Sequence, residues 1–150
     1  MVIMDKARRR AAVRRSVRRH VEDADNLVIP PCRNPRRRKR ALASLWQFGM
    51  TYWREEFTSP FGDRHKHMVA VLDATIREGG QHAEVMPRGS AKTTWAEIGA
   101  IYALLSGARR FVAIVAGTGD DAERMLEHIK ADLEGNEKLA QDFPEVCFPI

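Results

Sequence analysis

The chain has 150 residues, of which 44% are hydrophobic and 30% are charged, so it contains enough apolar material for one modest core. No apolar run approaches the roughly 20 residues of a membrane span, and the two isolated cysteines, Cys32 and Cys147, predict neither a disulfide framework nor a metal knuckle. The net charge is +5, but it is unevenly distributed. Residues 1 to 40 contain 14 Lys and Arg residues against 4 acidic ones, whereas the remaining 110 residues carry 11 basic and 16 acidic ones. This asymmetry predicts a basic arm that contacts a polyanion.

Residues 1 to 40 are predicted to be a basic helical arm and linker. Residues 5 to 22 place small apolar side chains on one stripe among arginines, which is typical of a marginal amphipathic helix. That helix contacts a DNA backbone or a partner in one interpretation, and is simply solvated in the other. Residues 26 to 40 contain three prolines and end in a run of cations, so they are predicted to be a linker that binds phosphates or stays solvated. The cations of the run are Arg36, Arg37, Arg38, Lys39 and Arg40.

The next two segments are predicted to be helices that contribute to the core. Residues 41 to 57 repeat large apolar side chains at helical spacing, and residues 63 to 77 do the same after a loop. His65 and His67 lie two positions apart and face different sides of the second helix, so they make a poor pair of metal ligands. The core side chains predicted in the first helix are Leu42, Leu45, Trp46, Met50 and Trp53.

The stretch from Glu84 to Thr94 predicts a phosphate-binding turn between a strand and a helix. A helix N-terminus attracts phosphate through unpaired N–H groups, Lys92 adds a full charge, and the Thr93 hydroxyl suits Mg²⁺. The match to G-x-x-x-x-G-K-[ST] is incomplete, because Ala91 stands where the second glycine is expected. Gly89 is the only glycine of the turn, and the one residue there that adopts a positive φ at low cost. The alternative is a plain strand-to-helix turn with an exposed lysine.

The elements predicted around this turn indicate an α/β fold. Residues 81 to 86 are a strand candidate, and the helix over residues 93 to 106 stops at Gly107. Residues 111 to 116 form a continuous apolar run, which suits a strand buried on both faces of a parallel sheet. Strand, turn, helix and strand make a βαβ unit. Residues 41 to 150 are predicted to be the N-terminal part of a P-loop ATPase domain, in which a three-layer core is begun but not completed.

The acidic pair that follows the second predicted strand is interpreted as part of a helix cap. Asp120 and Asp121 stand at the start of a helix that runs to about Glu134, with Thr118 or Asp120 as its N-cap. Capping explains this pair better than Mg²⁺ binding does. A short helix is predicted to follow over residues 136 to 141.

Residues 86 to 94 resemble the deviant Walker A motif of large terminase subunits, the DNA-packaging ATPases of tailed bacteriophages. That family commonly carries an arginine four residues before the lysine, as Arg88 stands before Lys92, and it tolerates alanine at the position of Ala91. The resemblance extends over roughly residues 50 to 146. The residues that it places on the nucleotide are Pro87, Arg88, Gly89, Ser90, Ala91, Lys92, Thr93 and Thr94.

The resemblance implies that ATP hydrolysis drives double-stranded DNA into a procapsid in the cytoplasm of a bacterial host. Arg88 and Lys92 are then the catalytic residues, with Arg88 acting in cis on the γ-phosphate, and Thr93 holds Mg²⁺. The alternative for Arg88 is a pair with a carboxylate, such as that of Glu84, which only braces the turn. The implied partners are double-stranded DNA, a portal protein, a small terminase subunit and further copies of the ATPase. The adenine contacts are expected among Phe61, Arg64 and His65.

The same resemblance places the Walker B strand, the catalytic carboxylate and a nuclease domain beyond Ile150. The chain is therefore interpreted as the N-terminal part of an ATPase, without activity of its own. One rival interpretation is another P-loop DNA motor, such as a helicase-like ATPase. A second is a non-enzymatic DNA-binding fragment with a decayed P-loop, and nucleotide binding distinguishes it from the other two.

Overall fold

The computed structural model describes residues 28 to 147, and all the regular structure in that range is helical. None of these helices is both long enough and apolar enough to cross a membrane. The helix predicted over residues 5 to 22 lies outside the described residues. The helices are α1 (Pro35–Ala41), α2 (Leu45–Tyr52), a 3-10 helix (Arg54–Glu56), α3 (Asp63–Glu78), α4 (Lys92–Leu105), α5 (Gly119–Gly135), α6 (Glu137–Asp142) and α7 (Pro144–Cys147).

The predicted α/β fold is wrong, because no residue between positions 28 and 147 belongs to a strand. The two predicted strands, residues 81 to 86 and 111 to 116, are irregular segments whose backbone groups find no ladder partner among the described residues. A strand needs a neighbour for its N–H and C=O groups, and an apolar pattern does not supply one. Val85 is 92% exposed and Val115 is 91% exposed, so neither segment is buried on both faces. The three-layer P-loop core is not formed by this part of the chain.

Two further predictions about the N-terminal half need correction. The helix predicted over residues 41 to 57 is divided at Ser44, whose Oγ accepts a hydrogen bond from the Gln47 N–H at 3.2 Å and so begins α2. The cationic run predicted to be a linker is helical, because the Asn34 Oδ1 caps it by accepting from the Arg37 N–H at 3.0 Å. Local capping bonds therefore override the periodicity from which one long helix was predicted, and the prolines and charge run from which a linker was predicted.

The remaining helix predictions are confirmed to within a few residues. The predicted helices over residues 63 to 77 and 93 to 106 correspond to α3 and α4, and the short one over residues 136 to 141 corresponds to α6. Asn136 begins α6, since its Oδ1 accepts from the Leu139 N–H at 3.0 Å. Regular apolar spacing is thus enough to predict these helices, although α3 and α4 begin without a side-chain cap.

The core forms where α2 meets α4. Leu45 and Phe48 on α2 and Trp95 and Tyr102 on α4 are fully buried, and the Phe48 and Tyr102 rings lie 5.3 Å apart. Burial of each such side chain contributes about 1.5–3 kcal/mol. The two helices approach closely because residue 49 is glycine: a Cβ atom there would lie 2.5 Å from the Trp95 ring. This contact positions the first turn of α4, which carries the predicted phosphate-binding lysine.

A buried carboxylate ties α6 to α1. Asp142 is 0% exposed and accepts hydrogen bonds from Arg37 Nε at 2.6 Å, Arg37 Nη2 at 2.9 Å and the Tyr52 hydroxyl at 2.8 Å. The hydrogen bond to Asp142 raises the pKa of Arg37, and burial raises the pKa of Tyr52. Beside this group, Arg38 pairs with Glu145. Two of the five cations of α1 therefore hold that helix in place.

Candidate phosphate-binding site

The residues from Met86 to Thr94 form a turn that leads directly into α4. Gly89 has a φ of 79°, which confirms the prediction that it supplies a positive φ. Ala91 has a φ of 55° and a ψ of 24°, and it is the one non-glycine residue with a positive φ in the described part of the chain. A left-handed conformation costs an L-residue roughly 1–2 kcal/mol. The backbone at Ala91 therefore has the conformation for which glycine is expected at this position of the Walker A pattern.

The start of α4 leaves several backbone donors unpaired. Ala91 is the N-cap and has no side-chain oxygen, and the first bond into the helix runs from the Trp95 N–H to the Ala91 carbonyl at 2.9 Å. The described residues supply no acceptor for the backbone N–H groups of residues 92 to 94, the first three of the helix. Unpaired N–H groups at a helix N-terminus carry a partial positive charge and favour an anion.

The Lys92 side chain folds back over the turn. Its Nζ donates to the carbonyl of Met86 at 2.6 Å, to the carbonyl of Pro87 at 2.8 Å and to Ser90 Oγ at 3.3 Å. The Ser90 hydroxyl itself donates to the Pro87 carbonyl at 2.8 Å. The ammonium is thus held against the turn whose N–H groups are unpaired. Sequence patterns missed the two carbonyl partners, because a backbone acceptor leaves no signal in residue type.

The side chain of Arg88 is exposed and pairs with no carboxylate of the described residues. The alternative partner considered for it, Glu84, instead accepts a hydrogen bond from His82 Nε2 at 2.9 Å. The interpretation in which Arg88 braces the turn through Glu84 is therefore wrong. A cis role for Arg88 on a bound phosphate stays a prediction.

The predicted metal contact of the turn is a hydroxyl at the first turn of α4. Thr93 is exposed there, and Thr94 beside it is half-buried. Residues 28 to 147 contain no group of three or more His, Cys, Asp or Glu side chains that would hold a metal ion. The ligands predicted for Mg²⁺ do not form such a group, because they combine the Thr93 hydroxyl with oxygens of the nucleotide. It remains a prediction.

The acidic pair after residue 116 lies in the first turn of a helix that Thr118 caps, in agreement with the predicted cap. Thr118 is the N-cap of α5, and its Oγ1 accepts a hydrogen bond from the Asp121 N–H at 3.2 Å. The Asp121 carboxylate in turn bonds the Thr118 hydroxyl and pairs with Arg124. The hydrogen bond from Thr118, followed by that from Arg124, lowers the pKa of Asp121. Asp121 is therefore engaged in its own helix turn.

An aromatic cluster adjoins the first turn of α4. Trp95 is 0% exposed and stacks between Trp46, with ring centroids 5.6 Å apart, and Phe57, at 5.3 Å. Phe61 meets Trp95 edge-on at 5.9 Å and lies 5.5 Å from the ring of His65. Two of the predicted adenine contacts, Phe61 and His65, thus belong to a cluster anchored on α4. Contact with adenine itself stays a prediction.

Comparison of the chain with protein-family models, with curated proteins and with solved structures found no match. The geometry of the turn from Met86 to Thr94 and the sequence itself are therefore the observations that bear on function.

Proposed function

We propose that the turn from Met86 to Thr94 binds the phosphates of ATP together with Mg²⁺. The observation that carries the proposal is the junction of Ala91 and Lys92. There a left-handed residue leads into a helix with unpaired N–H groups, and an ammonium group is held on the same turn. Backbone donors, the helix dipole and a full positive charge together suit a polyphosphate. The site depends on the turn and α4, and not on the sheet that was predicted around them.

Three side chains of the turn have a defined task in this proposal. The Lys92 ammonium exchanges its carbonyl partners for oxygens of the β- and γ-phosphates, as a point charge does readily. The Thr93 hydroxyl contributes one oxygen to Mg²⁺. The Arg88 guanidinium, which is exposed, bonds the γ-phosphate in a forked geometry.

We further propose that ATP bound here powers the movement of double-stranded DNA in the cytoplasm of a bacterial host. The support is the resemblance of residues 86 to 94 to the Walker A motif of large terminase subunits, together with the basic composition of residues 1 to 40. A portal protein, a small terminase subunit and further copies of this chain complete such a motor. The proposal takes the turn from that family, and not the α/β core.

Lys92→Ala tests the nucleotide site directly. Loss of a charged hydrogen bond of about 1.5–3 kcal/mol is expected to weaken MgATP binding by roughly 10- to 100-fold. Isothermal titration of MgATP into the full chain measures this. The matched control is Lys130→Ala on α5, which should leave the affinity unchanged, because this lysine is exposed and its partner among residues 28 to 147 is Glu127. Inorganic triphosphate should compete with ATP, whereas adenosine should compete weakly. Equal MgATP affinity in the Lys92→Ala variant and the unchanged protein would refute the site.

A further inference from the structure

The five consecutive cations of α1 fall into two groups with different partners. Arg37 and Arg38 pair with the carboxylates of α6 and α7, as described above. Arg36, Lys39 and Arg40 are exposed, and no carboxylate within residues 28 to 147 pairs with them. Positions i, i+3 and i+4 lie on one side of a helix. These three residues therefore form one surface, the α1 cationic face.

The α1 cationic face is presented in a fixed direction, because α1 is anchored at two points. The Arg37–Asp142 pair resists rotation of the helix, since a turn would leave a buried carboxylate without its cation. At the C-terminal end of α1, Arg77 Nη2 donates to the carbonyls of Leu42 at 3.1 Å and Ala43 at 3.0 Å. The three outward cations are thus held side by side, although like charges at this spacing repel.

The surroundings of the face restrict the kind of partner that it fits. With Ala43 and Gln47 it lines an open depression of about 690 Å³ that contains no aromatic or large aliphatic side chain. Stable anchoring to a membrane combines basic residues with an apolar group, and a single nucleic-acid strand binds aromatic side chains on which its bases stack. A protein partner usually needs a desolvated aromatic or aliphatic hot spot. A regular array of phosphates needs none of these, and two of the three cations are arginines, which bind phosphate oxygens in a fork.

We propose that the α1 cationic face contacts the phosphodiester backbone of double-stranded DNA, and that Arg37 and Arg38 take no part in this contact. The choice of DNA as the polyanion rests on the proposed function, whereas the separation of the cations into two groups rests on their ion pairs alone. Backbone contact of this kind positions a duplex without selecting its sequence.

The test compares two triple variants of the full chain that lose the same charge. In the first, Arg36→Gln, Lys39→Gln and Arg40→Gln are combined. In the second, Lys66→Gln, Lys130→Gln and Lys138→Gln remove three exposed lysines from α3, α5 and α6. Fluorescence anisotropy with a labelled double-stranded DNA gives the affinity over a range of salt concentrations. Each phosphate contact contributes about 0.9 to the log–log salt slope, so the first variant should lose up to about 2.7 of it. The second variant should keep the slope of the unchanged protein.

Several outcomes would overturn the inference. An unchanged slope in the first variant places the DNA contacts elsewhere, and an equal loss in both variants shows an effect of net charge alone. Binding to phosphatidylserine vesicles that is lost in the first variant while DNA binding is retained identifies a membrane surface instead. All titrations with DNA are made without nucleotide, and the first variant should bind MgATP like the unchanged protein. Failure of the DNA contact therefore does not contradict the nucleotide site. Likewise, an unchanged MgATP affinity in the Lys92→Ala variant does not contradict the DNA contact.

Discussion

The left-handed backbone at Ala91 carries a cost that can be measured. Ala91→Gly removes the clash between Cβ and the backbone, roughly 1–2 kcal/mol, and adds part of the flexibility cost of glycine, roughly 0.5–1 kcal/mol. We expect the free energy of unfolding to rise by about 0.5–1 kcal/mol, measured by urea denaturation. MgATP affinity should be kept, because glycine holds the same conformation and leaves Lys92 in place.

The control for this prediction is the same substitution in a right-handed helix. Ala96 is exposed within α4, five residues further along. Ala96→Gly should lower the free energy of unfolding by about 0.5–1 kcal/mol, because glycine weakens a helix interior. Opposite signs for the two variants are the expected result. Equal destabilisation by both would show that the backbone at Ala91 is not left-handed in solution.

At this turn the sequence predicted residue types better than contacts. Gly89 was identified because glycine alone adopts a positive φ cheaply, and Lys92 because of its place before a hydroxyl residue. The left-handed state of Ala91 was not predicted, since alanine normally avoids it. The hydrogen bond between His82 and Glu84 was also not predicted, because a contact between near neighbours in an irregular segment follows no periodicity.

At the scale of elements, the approach of α2 to α4 depends on one glycine. Gly49→Ala places a Cβ atom 2.5 Å from the rigid Trp95 ring. Overpacking of this kind costs about 1–3 kcal/mol. Gly99→Ala is the matched control, because its Cβ would lie 3.3 Å from the flexible end of Leu72. In both variants the higher helix propensity of alanine adds up to about 1 kcal/mol to the free energy of unfolding. Urea denaturation should show a loss for Gly49→Ala and little change or a gain for Gly99→Ala, and the reverse order would contradict the packing.

Tyr102 makes the packing of α4 sensitive to alkaline pH. Burial, followed by the nearby Asp73 carboxylate, raises its pKa to about 12, whereas an unfolded tyrosine has a pKa of about 10. Between these two values the unfolded chain loses the proton and the folded chain keeps it. The stabilising contribution is therefore complete below about pH 10 and is lost as the pH rises toward about 12.

The measurement for Tyr102 is the urea midpoint as a function of pH. Tyr102→Phe cannot ionise, so its midpoint should fall less steeply across the alkaline range than that of the unchanged protein. The difference at neutral pH, where neither residue ionises, gives the baseline. Some decline should remain in the variant, because burial also raises the pKa of Tyr52. Parallel curves for the two proteins would show that Tyr102 does not titrate differently on unfolding.

Helices and strands differed in how far the sequence specified them. Ser44, Thr118 and Asn136 each accept a hydrogen bond from the backbone N–H three residues further on. Local sequence therefore sets where α2, α5 and α6 begin. A strand depends on a second segment that is distant in sequence. The run over residues 111 to 116 has the composition of a strand, but it would need the backbone N–H and C=O groups of a second segment, which its own sequence does not specify.

At the scale of the whole molecule, the apolar segment after α4 is buried on one side only. Val112 and Ile114 are half-buried and line a cavity of about 120 Å³ against α4 and α5. Phe111 is 79% exposed and Val115 is 91% exposed. The run is apolar on both sides, although only one of its sides is covered, and this is why it predicts a strand buried on both faces. Composition alone does not distinguish two covered faces from one.

The exposed side of this segment should cause self-association, because exposed large apolar side chains favour contacts between molecules. Phe111→Asp combined with Val115→Asp is expected to lower light scattering at high protein concentration without changing the melting temperature. The control combines Val112→Asp with Ile114→Asp, which adds the same charge to the half-buried positions. That variant should melt at a lower temperature, because it places carboxylates against the apolar side chains of α4 and α5. Equal melting temperatures for the two variants would show that the segment does not rest on α4 by alternate side chains. A lower melting temperature in both would show that Phe111 and Val115 are buried in the folded protein.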